Sequence, residues 1–283
     1  MKTPEQLKGT IRNIAKDKNL KPQEVLQMYL FERIIERLSL SKYKDNFILK
    51  GGLLIASMIG VEGRSTLDMD TTVRGMLITE ESIHHAIQEL IQVDVGDGIQ
   101  FMYQKMEPIR ECDMESNFRV HLRASYGKID APMKIDITTG DVITPSAIDY
   151  SFKLLFENRN VHVMAYNLET ILAEKFETII KRNIGTTRAR DFYDLYILFK
   201  SRFEEICQND FIYAVRNTAK KRGSTELLYD WEDICEDIRK EKSLEVLWNN
   251  YQKENHYASG ISFEDIVDNL VTVARYLNYN ETI

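Results

Sequence analysis

Cysteine is scarce: Cys112, Cys207 and Cys235 stand far apart in 283 residues. That spacing excludes a disulfide framework and a zinc ribbon, and it fits a reducing, cytoplasmic compartment. Five prolines and thirteen glycines form no linker and no low-complexity stretch. No apolar run approaches the ~18 residues that a membrane span needs. The opening MKTPEQLKGTIRN alternates charge where a secretory leader has an apolar core, so no membrane association is expected. Positive charge is not in excess either. With 37 basic and 44 acidic residues the net charge is −7, which excludes a globally basic nucleic-acid binder. What is present is 43% hydrophobic residues, enough for one large domain or two modest ones.

The pattern predicts an α+β fold. The first 45 residues read as helix, with Pro22 suited to a first turn and Val25, Leu26, Tyr29, Leu30, Ile34 and Leu38 at helical spacing. Phe47-Ile48-Leu49 is a short apolar strand running into Gly51-Gly52, and a helical segment from Leu53 to Ile59 follows. GRSTLDMD reads as a turn entering a strand, and Thr79 as the cap of a helix reaching Val93. From Ile99 to Val163 strands dominate: Phe118 to Tyr126, a GKIDAP turn, Met133 to Thr138, and Val161 to Val163. After the cap Asn167 the remainder reads as helices through Asn278. Two domains are expected: 1–165, N-terminal helices with a small mixed-sheet core, and 166–283, a helical half.

Chemistry concentrates in carboxylates. In STLDMD, residues two apart in a strand share a face, so Thr66, Asp68 and Asp70 point one way and Leu67 and Met69 the other. Adjacent carboxylates repel unless a cation or water separates them. In KIDI, Ile135 and Ile137 pack inward and Asp136 emerges opposite, from a neighbouring strand. Three carboxylates from two strands make a hard oxygen site suited to Mg²⁺ with substrate phosphates. The plain alternative is a solvated D-x-D at a strand end. Gly51-Gly52, between a strand and a helix, lets backbone N–H groups approach a phosphate. Its plain alternative is a tight turn with positive φ.

The helical half adds a lysine on an apolar stripe. Lys175 lies among Leu168, Ile171, Leu172 and Ile179, and a buried charge must pair or line a cavity. Asp191 and Asp194 share a face with Leu195 and Leu198. The structural account is a salt bridge clamping two helices, and the functional account adds a triphosphate contact. Lys181, Arg182, Arg188 and Arg190 form a local basic patch around an Ile184–Thr187 turn, and Lys220, Lys221 and Arg222 a second run. The histidines show no zinc spacing, and VGDG at Val95 to Gly98 reads as a turn.

Together LKGG (Leu49–Gly52), GRSTLDMD (Gly63–Asp70), KIDI (Lys134–Ile137), LETILAEK (Leu168–Lys175) and RARDFYDL (Arg188–Leu195) resemble, in order, the AbiEii/AbiGii-type nucleotidyltransferase toxins. These act in abortive-infection, type IV toxin–antitoxin systems and belong to the polymerase-β-like nucleotidyltransferases. The resemblance implies Asp68, Asp70 and Asp136 as metal ligands and Gly51, Gly52 and Thr66 at the nucleotide. It further implies Lys175 at the triphosphate and Asp191 with Arg188 and Asp194 completing the site from the helical domain. Leu53 departs from the pattern, since a hydroxyl residue is usual there, and Asp136 stands where glutamate is frequent.

The expected activity is therefore Mg²⁺-dependent transfer of NMP from an NTP to RNA, tRNA by the resemblance, or to protein, with a cognate antitoxin as partner. The rivals are a small-molecule nucleotidyltransferase of antibiotic-modifying type and a non-catalytic nucleotide- or antitoxin-binding module. A metal-dependent nuclease also needs clustered carboxylates, but paired glycines and Lys175 fit a triphosphate better.

Overall fold

The computed structural model describes residues 3–109 and 117–277; Cys112 and Asn278 lie outside them. Two units are found. One is formed by Met1–Asp141 with Ala147–Tyr166, the other by Val142–Ser146 with Asn167–Ile283.

The first unit opens with two helices, α1 (Pro4–Asp17) and α2 (Pro22–Leu40). Each begins on a proline, whose missing N–H costs nothing in a first turn. Thr3 and Gln6 close a reciprocal capping box on α1, Gln6 N–H donating to Thr3 Oγ1 at 3.3 Å. Then follow β1 (Phe47–Lys50), α3 (Gly51–Ile59), β2 (Met69–Val73), α4 (Glu80–Ile91), β3 (Gln100–Pro108), β4 (Phe118–Tyr126), β5 (Ile129–Thr139), β6 (Ile148–Lys153) and β7 (Asn160–Ala165). The seven strands form one mixed sheet in the order β3-β4-β5-β2-β1-β7-β6. β2–β5 and β1–β7 are parallel and the other neighbours antiparallel. Strand alternation does what the sequence implies on β5: Ile129, Ala131, Met133, Ile135 and Ile137 are all buried.

GKIDAP is not a turn throughout. Tyr126 pairs with Ile129, so only Gly127 and Lys128 make the hairpin, and β5 runs through Pro132. Proline is tolerated there because β2 joins β5 only from Ile135 onward, leaving that earlier stretch an edge.

Four charged residues of α2, Glu32, Arg33, Glu36 and Arg37, are buried. Arg37 donates to both oxygens of Asp97 at 2.7 and 2.8 Å, which gives the VGDG turn a structural role. Arg33 pairs with Glu157 at 2.7 Å and with Glu36 at 2.9 Å. Glu32 accepts the Leu155 N–H at 2.5 Å, while its other oxygen lies 3.9 Å from Arg33. Buried charges that are paired this way specify one arrangement of the helix against the loop after β6.

The second unit is helical: α5 (Leu168–Arg182), α6 (Ala189–Ser201), α7 (Gln208–Arg222), α8 (Trp231–Lys240), α9 (Lys242–Glu254) and α10 (Phe263–Leu277). Asn167 caps α5, its Oδ1 accepting the Thr170 N–H at 2.7 Å. The same side chain donates to the carbonyls of Thr144 and Ser146 at 2.8 and 2.9 Å. That tie explains why residues 142–146 belong with the helices, a discontinuity absent from a single boundary drawn on the sequence. Among the described residues no helix is long and apolar enough to cross a membrane.

Burial pushes the Glu32 carboxyl up to about 7 from 4.5, against the opposing pull of the Leu155 N–H and Arg33. A native pKa above the unfolded value means tighter proton binding in the native state. The contribution of Glu32 is therefore fully present below about 4.5 and is lost as pH rises through about 7. Glu32→Gln is expected to be about 1–3 kcal/mol more stable than the parent at pH 8, with the gap closing near pH 4.5. Urea unfolding at both pH values measures this, and a pH-independent gap would show that Glu32 does not titrate there.

Candidate active site

Lys50 and Asp70 are Cα partners of antiparallel β1 and β2, so Asp70 stands beside the turn where β1 passes into α3. Gly51 makes that turn at φ +70°, where a side chain is strained. A Cβ on it would also overlap the Asp70 carboxyl group, 2.7 Å from Cγ. A Cβ on Gly52 would lie 3.0 Å from Thr66 Oγ1 and 3.2 Å from Arg64 Nη2. The glycine pair thus permits a close approach: its backbone is faced by a carboxylate, a hydroxyl and a buried guanidinium.

Asp70 is also the Cα partner of Asp136 across the parallel β2–β5 pair. Partners in register point to the same face, so the two carboxylates are neighbours. Asp68 is placed differently from the strand expectation. β2 begins only at Met69, and Leu67 is 51% exposed while Met69 is 1% exposed, so Thr66–Asp68 does not alternate as a strand. Instead Thr66 Oγ1 accepts the Asp68 N–H at 3.3 Å and donates to its carbonyl at 3.1 Å. This hydroxyl turn delivers Asp68 to the start of the strand.

Asp136 is engaged by Arg119, a residue the sequence reading did not single out. Arg119 Nε and Nη2 donate to its two oxygens at 2.8 and 2.7 Å. Those hydrogen bonds, with the charges of Asp136, Asp68 and Glu107, hold the guanidinium above its ordinary pKa. The signal was available in the hairpin: a turn at Gly127-Lys128 sets 119 opposite 136.

Lys50 is also structural here. It pairs with Asp141 at 2.6 Å. Burial alone would raise Asp141, but the Lys50 charge and hydrogen bonds from Lys50 and Thr138 outweigh it and hold the carboxyl low.

Hard oxygen donors in adjacent register suit a divalent cation in type. Among the described residues, however, no three carboxylate, histidine or cysteine side chains are gathered as a ready coordination set. With Asp136 given to Arg119, Asp68 and Asp70 are the donors that fit such an ion.

In the helical unit, Lys175 Nζ donates to Asp191 Oδ1 and Asp194 Oδ2, each at 2.7 Å. Arg188 Nε lies 2.8 Å from Asp191 Oδ2. Burial alone would lower the Lys175 pKa, but the two aspartates raise it, so the ammonium stays charged. The clamp between α5 and α6 is thus present. The basic runs are less available than their sequence suggests. Arg222 binds Glu177 at 2.7 Å and Glu174 at 3.0 Å, and Lys181 donates to the Arg222 carbonyl at 2.6 Å.

Residues 33–269 match the family model of the nucleotidyl transferase AbiEii toxin, type IV TA system. The chain belongs to that family. Two solved structures resemble it, each with a TM-score of 0.52 and 16% sequence identity. One is the JHP933 protein of Helicobacter pylori, with 92% of this chain and 95% of that one covered. Another is an H. pylori chain described as a nucleotidyltransferase, with 92% of this chain and 98% of that one covered. At that identity the likeness is one of fold. No curated protein matches the chain in sequence.

Lys175→Ala would leave Asp191 and Asp194 buried and mutually repulsive. It is expected to cost this AbiEii-family protein about 3–5 kcal/mol in urea unfolding. Adding Asp191→Asn and Asp194→Asn should recover part of the loss. A single variant as stable as the parent would show that the clamp carries no stability.

Proposed function

We propose that the protein is the toxin of a type IV toxin–antitoxin pair and transfers a nucleoside monophosphate from an NTP to an RNA or protein hydroxyl. The observation that carries this reading is the close approach of Asp70, Thr66 and Arg64 to the Gly51–Gly52 backbone, with Asp136 beside Asp70. Family membership supports the transferase class and an antitoxin partner.

In this reading the α3 N-terminus and Arg64 receive triphosphate oxygens, and the missing Cβ atoms leave the N–H groups open to them. Asp68 and Asp70 would hold Mg²⁺, which supplies charge neutralisation on the phosphates. Asp136 orients the acceptor hydroxyl and takes its proton as the new bond to the α-phosphorus forms. The bond to pyrophosphate breaks and pyrophosphate leaves. Positioning and fixed charge carry most of the rate. Lys175 is proposed as a triphosphate contact held by Asp191 and Asp194, with Arg188 supporting Asp191.

Incubation with each α-³²P-labelled NTP, Mg²⁺ and total cellular RNA tests this. Label should enter RNA or protein and fall by at least about 100-fold in Asp68→Ala, the scale of losing a principal electrostatic contributor. Label retained in that variant would end the assignment. Binding of NTP without any label transfer would favour the non-catalytic module instead.

The Arg119–Asp136 pair yields a second expectation. Arg119→Gln should release Asp136 and tighten Mn²⁺ binding roughly three- to tenfold, the scale of a charge-assisted pair at a partly exposed position. Electron paramagnetic resonance titration of free Mn²⁺ measures it, and an unchanged affinity would show that Arg119 does not compete for the carboxylate.

A further inference from the structure

In the first unit a cavity of about 280 Å³ opens between α1, the start of α2 and the β4–β5 hairpin. Its floor is apolar, made by Ile11, Leu26 and Ile129, and its rim carries Lys8, Arg12 and Lys128. Among the described residues these three cations have no carboxylate partner, and Lys16 further along α1 has none either. The carboxylate at the rim, Asp130, is already committed to Arg123, which donates to both its oxygens at 2.5 Å. Other cations of this unit are held by carboxylates, as in Lys18–Glu62, Lys50–Asp141 and Arg119–Asp136, and those that are not, such as Lys44 and Lys153, do not line the groove. In a chain of net charge −7, unpaired cations gathered at one groove are a local reversal of sign.

Their arrangement is linear. Lys8, Arg12 and Lys16 recur every four residues on α1, about 6 Å apart along the axis, with Lys128 facing them from the hairpin. A line of positive charge complements a polyanion better than a point anion. The groove offers no aromatic ring for stacking bases and no buried polar anchor to read them, so it suits a backbone grip without sequence preference. Position also matters. Ile129 and Asp136 lie seven residues apart on β5, about 23 Å, so only a long acceptor engages both the groove and the carboxylates. α1 and the first part of α2 precede the stretch matched by the family model, whereas the hairpin wall with Lys128 and Ile129 lies within it, so only the helical wall of the groove is outside the matched region.

We propose that this groove binds the phosphate backbone of an RNA acceptor. The inference rests on the reading of the protein as a transferase with an RNA acceptor. It names the surface that holds the RNA body away from the reacting end.

The test is fluorescence anisotropy with end-labelled bulk tRNA, titrated with the full chain between 50 and 200 mM KCl. Each phosphate contact contributes roughly 0.7–0.9 to the slope of log K against log salt. The variant Lys8→Gln/Arg12→Gln/Lys128→Gln should lower the slope magnitude by about 2–3, and Lys128→Gln alone by nearly 1. The single variant lies on an exposed turn and serves if the triple one is poorly folded. Lys44→Gln with Lys153→Gln, away from the groove, should leave the slope unchanged. A triple variant with the parental slope overturns the proposal, as does parental binding of a labelled Glu/Leu-rich peptide in place of RNA. Label transfer is scored separately. A parent that labels RNA while the groove variants keep its slope removes the groove and leaves the transferase reading. Groove variants that lose the slope, beside a parent that transfers no label, keep the groove and remove the transferase reading.

Discussion

The central constraint on the candidate site is a shortage of space around Gly51. Asp70 reaches the β1–α3 turn because the turn presents only backbone, and any side chain there would collide with its carboxyl group. Strand register then distributes the consequence. The antiparallel pairing of β1 with β2 sets Asp70 opposite Lys50, and the parallel pairing of β2 with β5 sets Asp136 opposite Asp70. A one-residue slip in either pair would move a carboxylate to the other face of the sheet. The alternating buried residues of β5 and the buried Met69 and Val73 of β2 guard against that slip, since each would be exposed by it. Core packing and site geometry are therefore the same specification seen from two faces of one sheet.

Charge is managed by pairing. The helices of both units carry buried ions, and each is answered nearby: Arg37 by Asp97, Lys175 by two aspartates, Glu177 by Arg222 and by Ser224 at 2.6 Å. Burial of a lone ion costs several kcal/mol, so such residues must be recruited as sets. Arg119 on Asp136 follows the same logic at the candidate site. It keeps adjacent carboxylates from facing each other uncompensated.

Much of this was legible in the sequence. Helix starts at Pro22, Thr79 and Asn167 were marked by first-turn and capping chemistry that acts within a few residues, and the α+β class followed from a change of period near Ile99. What was not legible depends on distant partners. Asp68 and Asp70 were read as a strand pair because a D-x-D pattern is local, whereas the point at which β2 begins is set by its pairing with β5. Arg119 drew no notice in the sequence because its partner, Asp136, is fixed only by the register of the β4–β5 hairpin. Arg222 was read only as part of a basic run because its acceptors, Glu174 and Glu177, lie more than forty residues earlier.

The segment from Val142 to Ser146 has a different consequence. The chain leaves the sheet unit at Asp141, joins the helical one, and returns to the sheet as β6 before leaving for good at Asn167. The helical unit is thus not one continuous piece of sequence. A fragment starting at residue 167 would lack the carbonyls of Thr144 and Ser146 that Asn167 donates to, and the Thr144 hydroxyl that Asn217 donates to at 3.1 Å. Such a fragment begins its folding with unsatisfied amides at the cap of α5. A cut at the apparent boundary near residue 167 therefore does not separate one unit cleanly from the other.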